Sequence, residues 1–291
     1  MPQALTAALL EWSRSEGWRD LPWRRTRDPW AILVSELMLQ QTQVSRVLPK
    51  YLAFLRLFPT PAECAAAPVG DVVRMWAGLG YNRRAVNLHR AAVACVEEHG
   101  GLLPDTLEDL LLLPGVGPYT ARAVLAFAHE QDVAVLDTNA ARVVARINGH
   151  RMTLGDAQTA ADSLVPPGEG WRWNQAILDL GATVCTKRSP RCERCPVFRS
   201  CAWFATGRAA TDPAEGSGGT SGRQSPFDGS DRQGRGRLVD ALRLGPLPLD
   251  RVPLVAGWPD DPARADRVAA SLVADGLAEL SSDRRVLKLP R

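Results

Sequence analysis

Apolar residues recur at spacings of three and four in LVSELML, VVRMWAGL, LHRAAVACV, LEDLLLL, ARAVLAFA and ARVVARI. That period places one apolar stripe on each segment and predicts amphipathic helices. Breaks fall at FPTP, GLGYN, HGGLLPD, PGVGP and GHRMTLGD, which are rich in the residues that end helices and start turns. One short run, residues 133–136, reads as a strand. The expectation for residues 4 to about 205 is therefore an all-α domain. From 206 to 234 the text turns to Gly, Ser, Asp and Pro with no apolar period, the signature of a flexible linker. Order returns over 235–291. RLVDALR and ARADRVAASLVADGL read as helices, and AELSSDRRVLKL as two short strands around a turn. Helices followed by a β-hairpin predict a small winged-helix-like module.

Composition narrows the class. The 291 residues are 45% hydrophobic and 23% charged, the balance of a globular protein. No apolar run approaches the ~20 residues of a membrane span. The first residues are helical without a basic start before an apolar block, so no signal peptide is expected and the reading is cytoplasmic. Net charge is +3, and lysine occurs only at Lys50, Lys187 and Lys288, so arginine carries nearly all the positive charge.

Four of the six cysteines, Cys185, Cys192, Cys195 and Cys201, crowd into CTKRSPRCERCPVFRSC. In a cytoplasmic chain such a cluster points to a metal site before disulfides. The spacing C-x6-C-x2-C-x5-C has one short C-x2-C pair where structural zinc usually has two, and by itself leaves zinc and iron–sulfur open. Cys64 and Cys95 lie in apolar helical text and read as buried thiols.

LLLLPGVGPYTARAVLAF joins two helices through LPGVG. Gly115 and Gly117 permit close backbone approach, and the N–H groups at the start of the second helix, near Thr120, suit a phosphate. A plain turn between packed helices is the other reading of this stretch. Glu36, with Ile32, Leu33 and Leu39 at helical spacing, falls on an apolar face or at its margin. On the apolar side, desolvation would keep its carboxyl protonated and make it a general acid. Asp137 follows an apolar run and opens a helix, where it would serve as N-cap, with its anion favoured by the helix terminus. An acid and an anion together are what cleavage of a glycosidic bond through an oxocarbenium-like state requires.

LPWRRTRDPWAILVSELMLQQTQV, WAGLGYNRRAVNLHRAA, LPGVGPYTA, LDTNAARVVAR, NQAILDLGATVC and the cysteine cluster occur in one order over about residues 5–205. Together they closely resemble the MutY-type adenine DNA glycosylases of the helix-hairpin-helix superfamily, relatives of endonuclease III. The resemblance implies a two-lobed helical glycosylase domain over 1–205, with the hairpin at about 108–127 and an iron–sulfur loop at 185–201. The linker at 206–234 and the module at 235–291 would follow it.

By the same resemblance Glu36 protonates the leaving adenine and Asp137 stabilises the sugar cation, with Tyr119 and Asn139 assisting. Arg19 and Trp23 would line the adenine pocket, and Gln41 and Tyr81 would push into the base stack. The four cysteines would hold a [4Fe–4S] cluster, with Arg188 and Arg191 on its loop meeting phosphate. The implied partner is double-stranded DNA with adenine opposite 8-oxoguanine or guanine, bound by a monomer.

Related bifunctional enzymes attack the sugar with a lysine where this chain has Tyr119, and no lysine lies between Lys50 and Lys187. The expectation is base excision without strand nicking. The chain departs from the family's usual pattern at Thr138, at Asn82, and after the linker. There a short helical text stands in place of the β-rich domain that inspects 8-oxoguanine. Arg264, Arg267, Arg284 and Arg285 are its candidate DNA contacts, beside a plain solvated or protein-binding face. The competing readings are a glycosylase for thymine or uracil, and a non-catalytic DNA-binding protein, which would have no chemical need for both Glu36 and Asp137.

Overall fold

A computed structural model describes residues 2–15, 19–208, 211–220 and 226–291. In chain order the helices begin α1 (Pro2–Ser15), α2 (Pro29–Leu39), α3 (Val44–Leu57), α4 (Pro61–Ala66) and α5 (Val69–Met75). They continue α6 (Arg83–Glu98), α7 (Leu107–Leu112), α8 (Pro118–Ala128), α9 (Thr138–Asn148) and α10 (Leu154–Asp162). The last are α11 (Gly170–Thr183), α12 (Ala202–Ala205), α13 (Asp231–Leu244), α14 (Val252–Ala256) and α15 (Pro262–Ala274). Three short strands, β1 (Leu247–Pro248), β2 (Glu279–Leu280) and β3 (Val286–Lys288), all lie in the C-terminal part. The chain divides into two compact units, one of residues 1–32 and 117–223, the other of residues 33–116 and 224–291.

In the first unit α1, α9 and α11 pack around Leu5, Leu9, Val143, Val144, Ile177 and Leu180, with Trp173 fully enclosed among them. The strand expected at 133–136 does not form. The segment is extended, but its partner is a side chain: Asn174 on α11 donates to the Val133 carbonyl at 2.8 Å and accepts the Val135 N–H at 2.7 Å. The Ala134 N–H goes to Asp162 at 2.9 Å. With Gln158 and Arg122 donating to the Ala134 carbonyl at 3.1 and 3.5 Å, four side chains satisfy a backbone that the apolar pattern read as a strand.

The stretch expected to be a tether is, over 211–220, bonded to the first unit. Asp212 accepts from the buried Arg146 at 2.6 Å, and Ser217 and Gly218 exchange hydrogen bonds with Met152 at 3.1 and 2.9 Å. Composition misses this because the anchors are single polar groups with no apolar period.

The second unit has its core at Phe54, Phe58 and Trp76, whose rings meet edge-on at 5.0 and 6.3 Å. Cys64 and Cys95 are buried as expected, and burial pushes their thiols up to about 12 and about 11. The C-terminal elements run α13, β1, α14, α15, β2, β3, with an antiparallel sheet ordered β1-β3-β2. Leu287 pairs with both Leu247 and Leu280. The sequence pattern anticipates β2 and β3 but not β1, which at two residues has no period to read. Helix α13 starts at Asp231 behind the Ser230 cap, ahead of the expected 235.

These elements sit on the rest of the second unit. Arg243 donates to the Val73 carbonyl at 3.1 Å and to Asn82 at 2.8 Å, and the Gly70 N–H reaches the Pro290 carbonyl at 2.9 Å. Of the arginines expected to face DNA, Arg264 is committed to Asp231 at 2.7 Å and to the Trp258 ring at 4.0 Å. Arg284 and Arg285 are exposed in the turn between β2 and β3.

Candidate active site

Asp137 ends the extended segment and caps α9. Its Oδ1 accepts the Asn139 and Ala140 N–H groups at 2.8 and 2.7 Å, and its Oδ2 accepts the Asn139 side-chain amide at 2.9 Å. Burial pushes this carboxyl above the ordinary carboxylate range, while the three donors and the Arg142 charge pull the other way. A helix N-terminus and three aimed N–H groups make a fixed seat for an anion.

Asn139 is itself fixed. Its Oδ1 accepts from Arg142 at 2.9 Å, and Arg142 also donates to the Gly181 carbonyl at 2.6 Å and the Cys185 carbonyl at 2.8 Å. Gly181 is required here, since a Cβ at that position would lie 2.7 Å from the Asn139 Cβ. The route from Asp137 through Asn139 and Arg142 ends on the backbone of the first clustered cysteine. Arg142 escaped sequence reading because a single arginine in helical text carries no signal of what it reaches.

Trp23 is buried in a 3-10 turn, Pro22–Arg24. Arg19 pairs with Asp179 of α11, and Arg24 grips the same carboxylate bidentately at 2.7 and 2.8 Å. Arg24 and Asp179 are almost wholly enclosed. The pair locks the 19–25 segment against α11, so Arg19 and Trp23 are presented by a rigid loop. Tyr119 lies in the first turn of α8, half-buried.

In the second unit Glu36 lies on α2 with only 5% of its surface exposed, in a helix buried on every face from Trp30 to Met38. Immediately after it the chain is held by Arg84 of α6. One guanidinium nitrogen donates to the carbonyls of Leu37, Met38 (3.0 Å) and Gln40 (2.7 Å). The other reaches Thr42 at 3.1 Å and the carbonyls of Leu79 and Gly80 at 3.2 and 3.0 Å. Burial lowers the Arg84 pKa to about 10, opposed by Tyr81. The cation thus ties the turn after α2 to the Gly78–Gly80 loop.

At the ends of those two tied segments stand Gln41 (φ +53°) and Tyr81 (φ +46°), both in the left-handed region that non-glycine residues avoid. Such strain persists only where surrounding bonds enforce it, and it concentrates at functional loops. Both residues line one cavity of about 870 Å³. The structure therefore brings together the two side chains assigned to enter the base stack.

The hairpin joins α7 to α8 through residues 113–117. Gly115 takes φ +81°, and a Cβ there would strike Asn87 at 2.6 Å. Gly117 is the N-cap of α8, with Pro118 behind it and no side chain covering the helix N-terminus. Gly115 is exposed and Gly117 half-exposed.

The four clustered cysteines are free of disulfides and line one small, apolar cavity with Arg146. Arg146 donates to the Cys185 Sγ at 3.3 Å, and the Cys201 thiol donates to the Arg146 carbonyl at 3.3 Å. Burial pushes the thiol of Cys195 up to about 12 and raises those of Cys192 and Cys201. Among the described residues no three ligating side chains converge as a preformed metal set. Four thiols facing one cavity, with an N–H already on one sulfur, have the donor chemistry an iron–sulfur group takes. Arg188 and Arg191 are exposed on this loop.

Comparison with known proteins bears on all of this. Residues 34–167 match the family described as HhH-GPD superfamily base excision DNA repair protein. The adenine DNA glycosylase of Mycobacterium tuberculosis is 44% identical over 284 residues, covering 95% of this chain and 91% of that one. That of Homo sapiens is 43% identical over 213 residues, covering 68% of this chain and 39% of its own. A match over 95% of the chain takes in most of residues 235–291. Among solved structures, a thermostable thymine-DNA glycosylase superposes with TM-score 0.65 at 28% identity, covering 70% of this chain and 97% of that one. A non-covalent endonuclease III–DNA complex superposes with TM-score 0.62 at 21% identity, covering 72% and 99%, a likeness of fold. The near full-length relationship at 44% identity places the chain in the adenine DNA glycosylase family, within the HhH-GPD superfamily.

Proposed function

We propose that this enzyme removes adenine mispaired with 8-oxoguanine or guanine from double-stranded DNA, by hydrolysing the N-glycosidic bond in base excision repair. Glu36, sheltered on α2, is the proton donor to the departing base. Asp137, held by its three N–H donors, is the anion that stabilises the cationic sugar. Asn139 orients that carboxylate, and Tyr119 stands beside the sugar. Arg19 and Trp23 form the wall of the adenine pocket, while Gln41 and Tyr81 fill the gap left by the extruded nucleotide. Extrusion costs a few kcal/mol, which a wedge and stacking offset.

The single observation that carries this reading is the seat of Asp137. A half-buried carboxylate held by a helix N-terminus and by an amide that an arginine fixes in turn is more than a helix cap needs. Adenine is favoured over thymine by the 44% identity to adenine DNA glycosylases against 28% to the thymine enzyme.

With Tyr119 where a lysine nucleophile would stand, the enzyme leaves an abasic site and an intact strand. Gly115, Gly117, Arg188 and Arg191 meet phosphates and carry no sequence information. Cys185, Cys192, Cys195 and Cys201 would hold a [4Fe–4S] cluster, which when bound fixes the fold of this basic loop. The protein works as a cytoplasmic monomer. No helix among the described residues is long and apolar enough to cross a membrane.

Single-turnover excision from duplexes with adenine opposite 8-oxoguanine, guanine or cytosine tests the assignment. Glu36→Gln and Asp137→Asn should each slow excision on the order of 10³-fold. Excision at the wild-type rate by either variant would refute the role of that carboxyl. Strand breaks without alkali would refute the monofunctional chemistry.

A further inference from the structure

Arg146 on α9 carries its charge with only 1% of its surface exposed. A guanidinium so enclosed needs a partner for each of its N–H groups. Nη1 donates to the Cys185 Sγ at 3.3 Å and to the Thr186 carbonyl at 2.8 Å, and Nη2 to the Lys187 carbonyl at 3.2 Å. The Trp203 ring covers one face, with its centroid 4.7 Å from the guanidinium carbon. All of these belong to the cysteine loop or to the helix that follows it. One partner does not. Asp212 accepts from Nε at 3.1 Å and from Nη2 at 2.6 Å, one bond to each carboxylate oxygen.

The planar fork explains what this carboxylate does. Gripping the Nε–Nη2 edge fixes the plane of the group, and with it the direction of Nη1. Here Nη1 points at the Cys185 sulfur. The charge of Asp212 would itself repel a set of thiolates, so attraction does not account for its position, whereas aiming the guanidinium does. The carboxylate is fixed in turn, since its Oδ1 accepts the Ala214 N–H at 3.0 Å. Further along, the Ser217 hydroxyl takes the Met152 N–H at 3.1 Å, and the Gly218 N–H reaches the Met152 carbonyl at 2.9 Å. Gly218 lies so close that a Cβ there would run into the Leu154 backbone nitrogen. Residues 211–220 are thus fastened at two points, one of them through the arginine that touches the cysteine cavity.

We propose that residues 211–220 form a clasp that retains the iron–sulfur group, with Asp212 as the positioning residue that holds Arg146 on the Cys185 sulfur. This rests on the reading that Cys185, Cys192, Cys195 and Cys201 hold that group. Iron leaves only if a cysteine swings away from it, and an N–H fixed on the Cys185 sulfur opposes that swing. A segment with the composition of a tether then has a task of its own before the chain reaches its C-terminal elements.

The test follows the full-length holoprotein under anaerobic conditions. Iron and acid-labile sulfide per chain are measured first. Release is then read as the bleaching of the cluster's visible absorption in excess iron chelator, well below the melting temperature. Asp212→Asn should bleach about tenfold faster than wild type, from the loss of a charge-assisted fork. Gly218→Ala leaves Asp212, Arg146 and the cysteines unchanged and lifts only the far end of the clasp. It should also bleach severalfold faster. Leu9→Ala controls for global stability. It opens a cavity in the core of the same unit, so it should melt below wild type and yet bleach at the wild-type rate, because release follows local opening. Bleaching at the wild-type rate by Asp212→Asn or by Gly218→Ala overturns the clasp, and so does bleaching of Leu9→Ala as fast as Asp212→Asn. Wild type purified without iron and sulfide overturns the cluster reading and the clasp with it, a result distinct from a cluster that is present and indifferent to the variants.

Discussion

Two helix termini in this protein do opposite electrostatic work. At the N-terminus of α9, N–H groups converge on the Asp137 carboxylate. At the C-terminus of α2, carbonyls converge on the Arg84 guanidinium. Each satisfies backbone groups that a helix leaves unpaired, and each fixes a charge that burial would otherwise expel. The difference lies in reach. The Asp137 donors lie two and three residues away, whereas the Arg84 acceptors include residues 44 to 47 positions earlier. A local seat fixes one catalytic group; a long-range clamp fixes the relation between two segments, the turn after Glu36 and the strained Tyr81 loop.

The clamp should be the more costly to break. Arg84→Met removes the donor from six carbonyls, three of them buried, and from a hydroxyl. At about 1–3 kcal/mol for each buried group left unsatisfied, with partial relaxation, the loss should be about 3–5 kcal/mol. Urea denaturation measures it. Arg84→Lys keeps the charge but cannot span both loops, and should retain more stability while losing base extrusion. A 2-aminopurine beside the target adenine reports that loss as missing fluorescence on binding. Equal fluorescence in Arg84→Lys and wild type would mean that Gln41 and Tyr81 hold their backbone without the clamp.

The seat of Asp137 should yield a smaller, pH-dependent effect. Asn139→Ala removes one hydrogen bond that favours the carboxylate. Burial already raises this pKa, so the acid limb of the excision profile should move further up in pH. At neutral pH the rate should fall about tenfold, with much of it recovered as pH rises. A uniform drop at every pH would show that Asn139 acts on the sugar directly and not through Asp137.

The same contrast of reach explains what could be read from the chain. The helices around Leu33, Leu88 and Val143 were legible because an apolar stripe is a local, repeated signal. Asp137 was legible as a cap for the same reason, its partners being Asn139 and Ala140. The side-chain partner that replaces a strand at 133–136 was not, because Asn174 lies about forty residues away. Arg84, Arg142 and Asp179 were equally silent. Each is one polar residue in helical text, and its role is defined by what the fold brings to it. The seating of residues 211–220 belongs to the same class, an ion pair at Asp212 and two hydrogen bonds to Met152 inside a stretch whose composition argues for a tether.

Asp212 offers the finest version of the comparison, because it and Asp137 should respond to pH with opposite sign. Burial pushes Asp212 up, but hydrogen bonds from Arg146 and the Ala214 N–H outweigh it and hold its carboxyl below the ordinary range. A carboxyl lowered by folding adds stability above its unfolded pKa of about 3.9, and the gain is lost as pH falls through the folded value. A carboxyl raised by folding, as at Asp137, costs stability once pH exceeds the unfolded value. Below about pH 3.9 the Asp137 cost vanishes, while the Asp212 contribution fades at still lower pH. Asp212→Asn should therefore melt below wild type at pH 7, and Asp137→Asn, which keeps a competent helix cap, should melt above it. The Asp137 difference should shrink as pH falls towards 4, whereas the Asp212 difference should hold down to about pH 4 and fade only below it. Melting curves of the two variants from pH 4 to 8 decide the matter: if both shift in one direction, the Asp137 carboxyl is stabilised as an anion by its three donors despite its burial, and its seat differs from that of Asp212 in position alone.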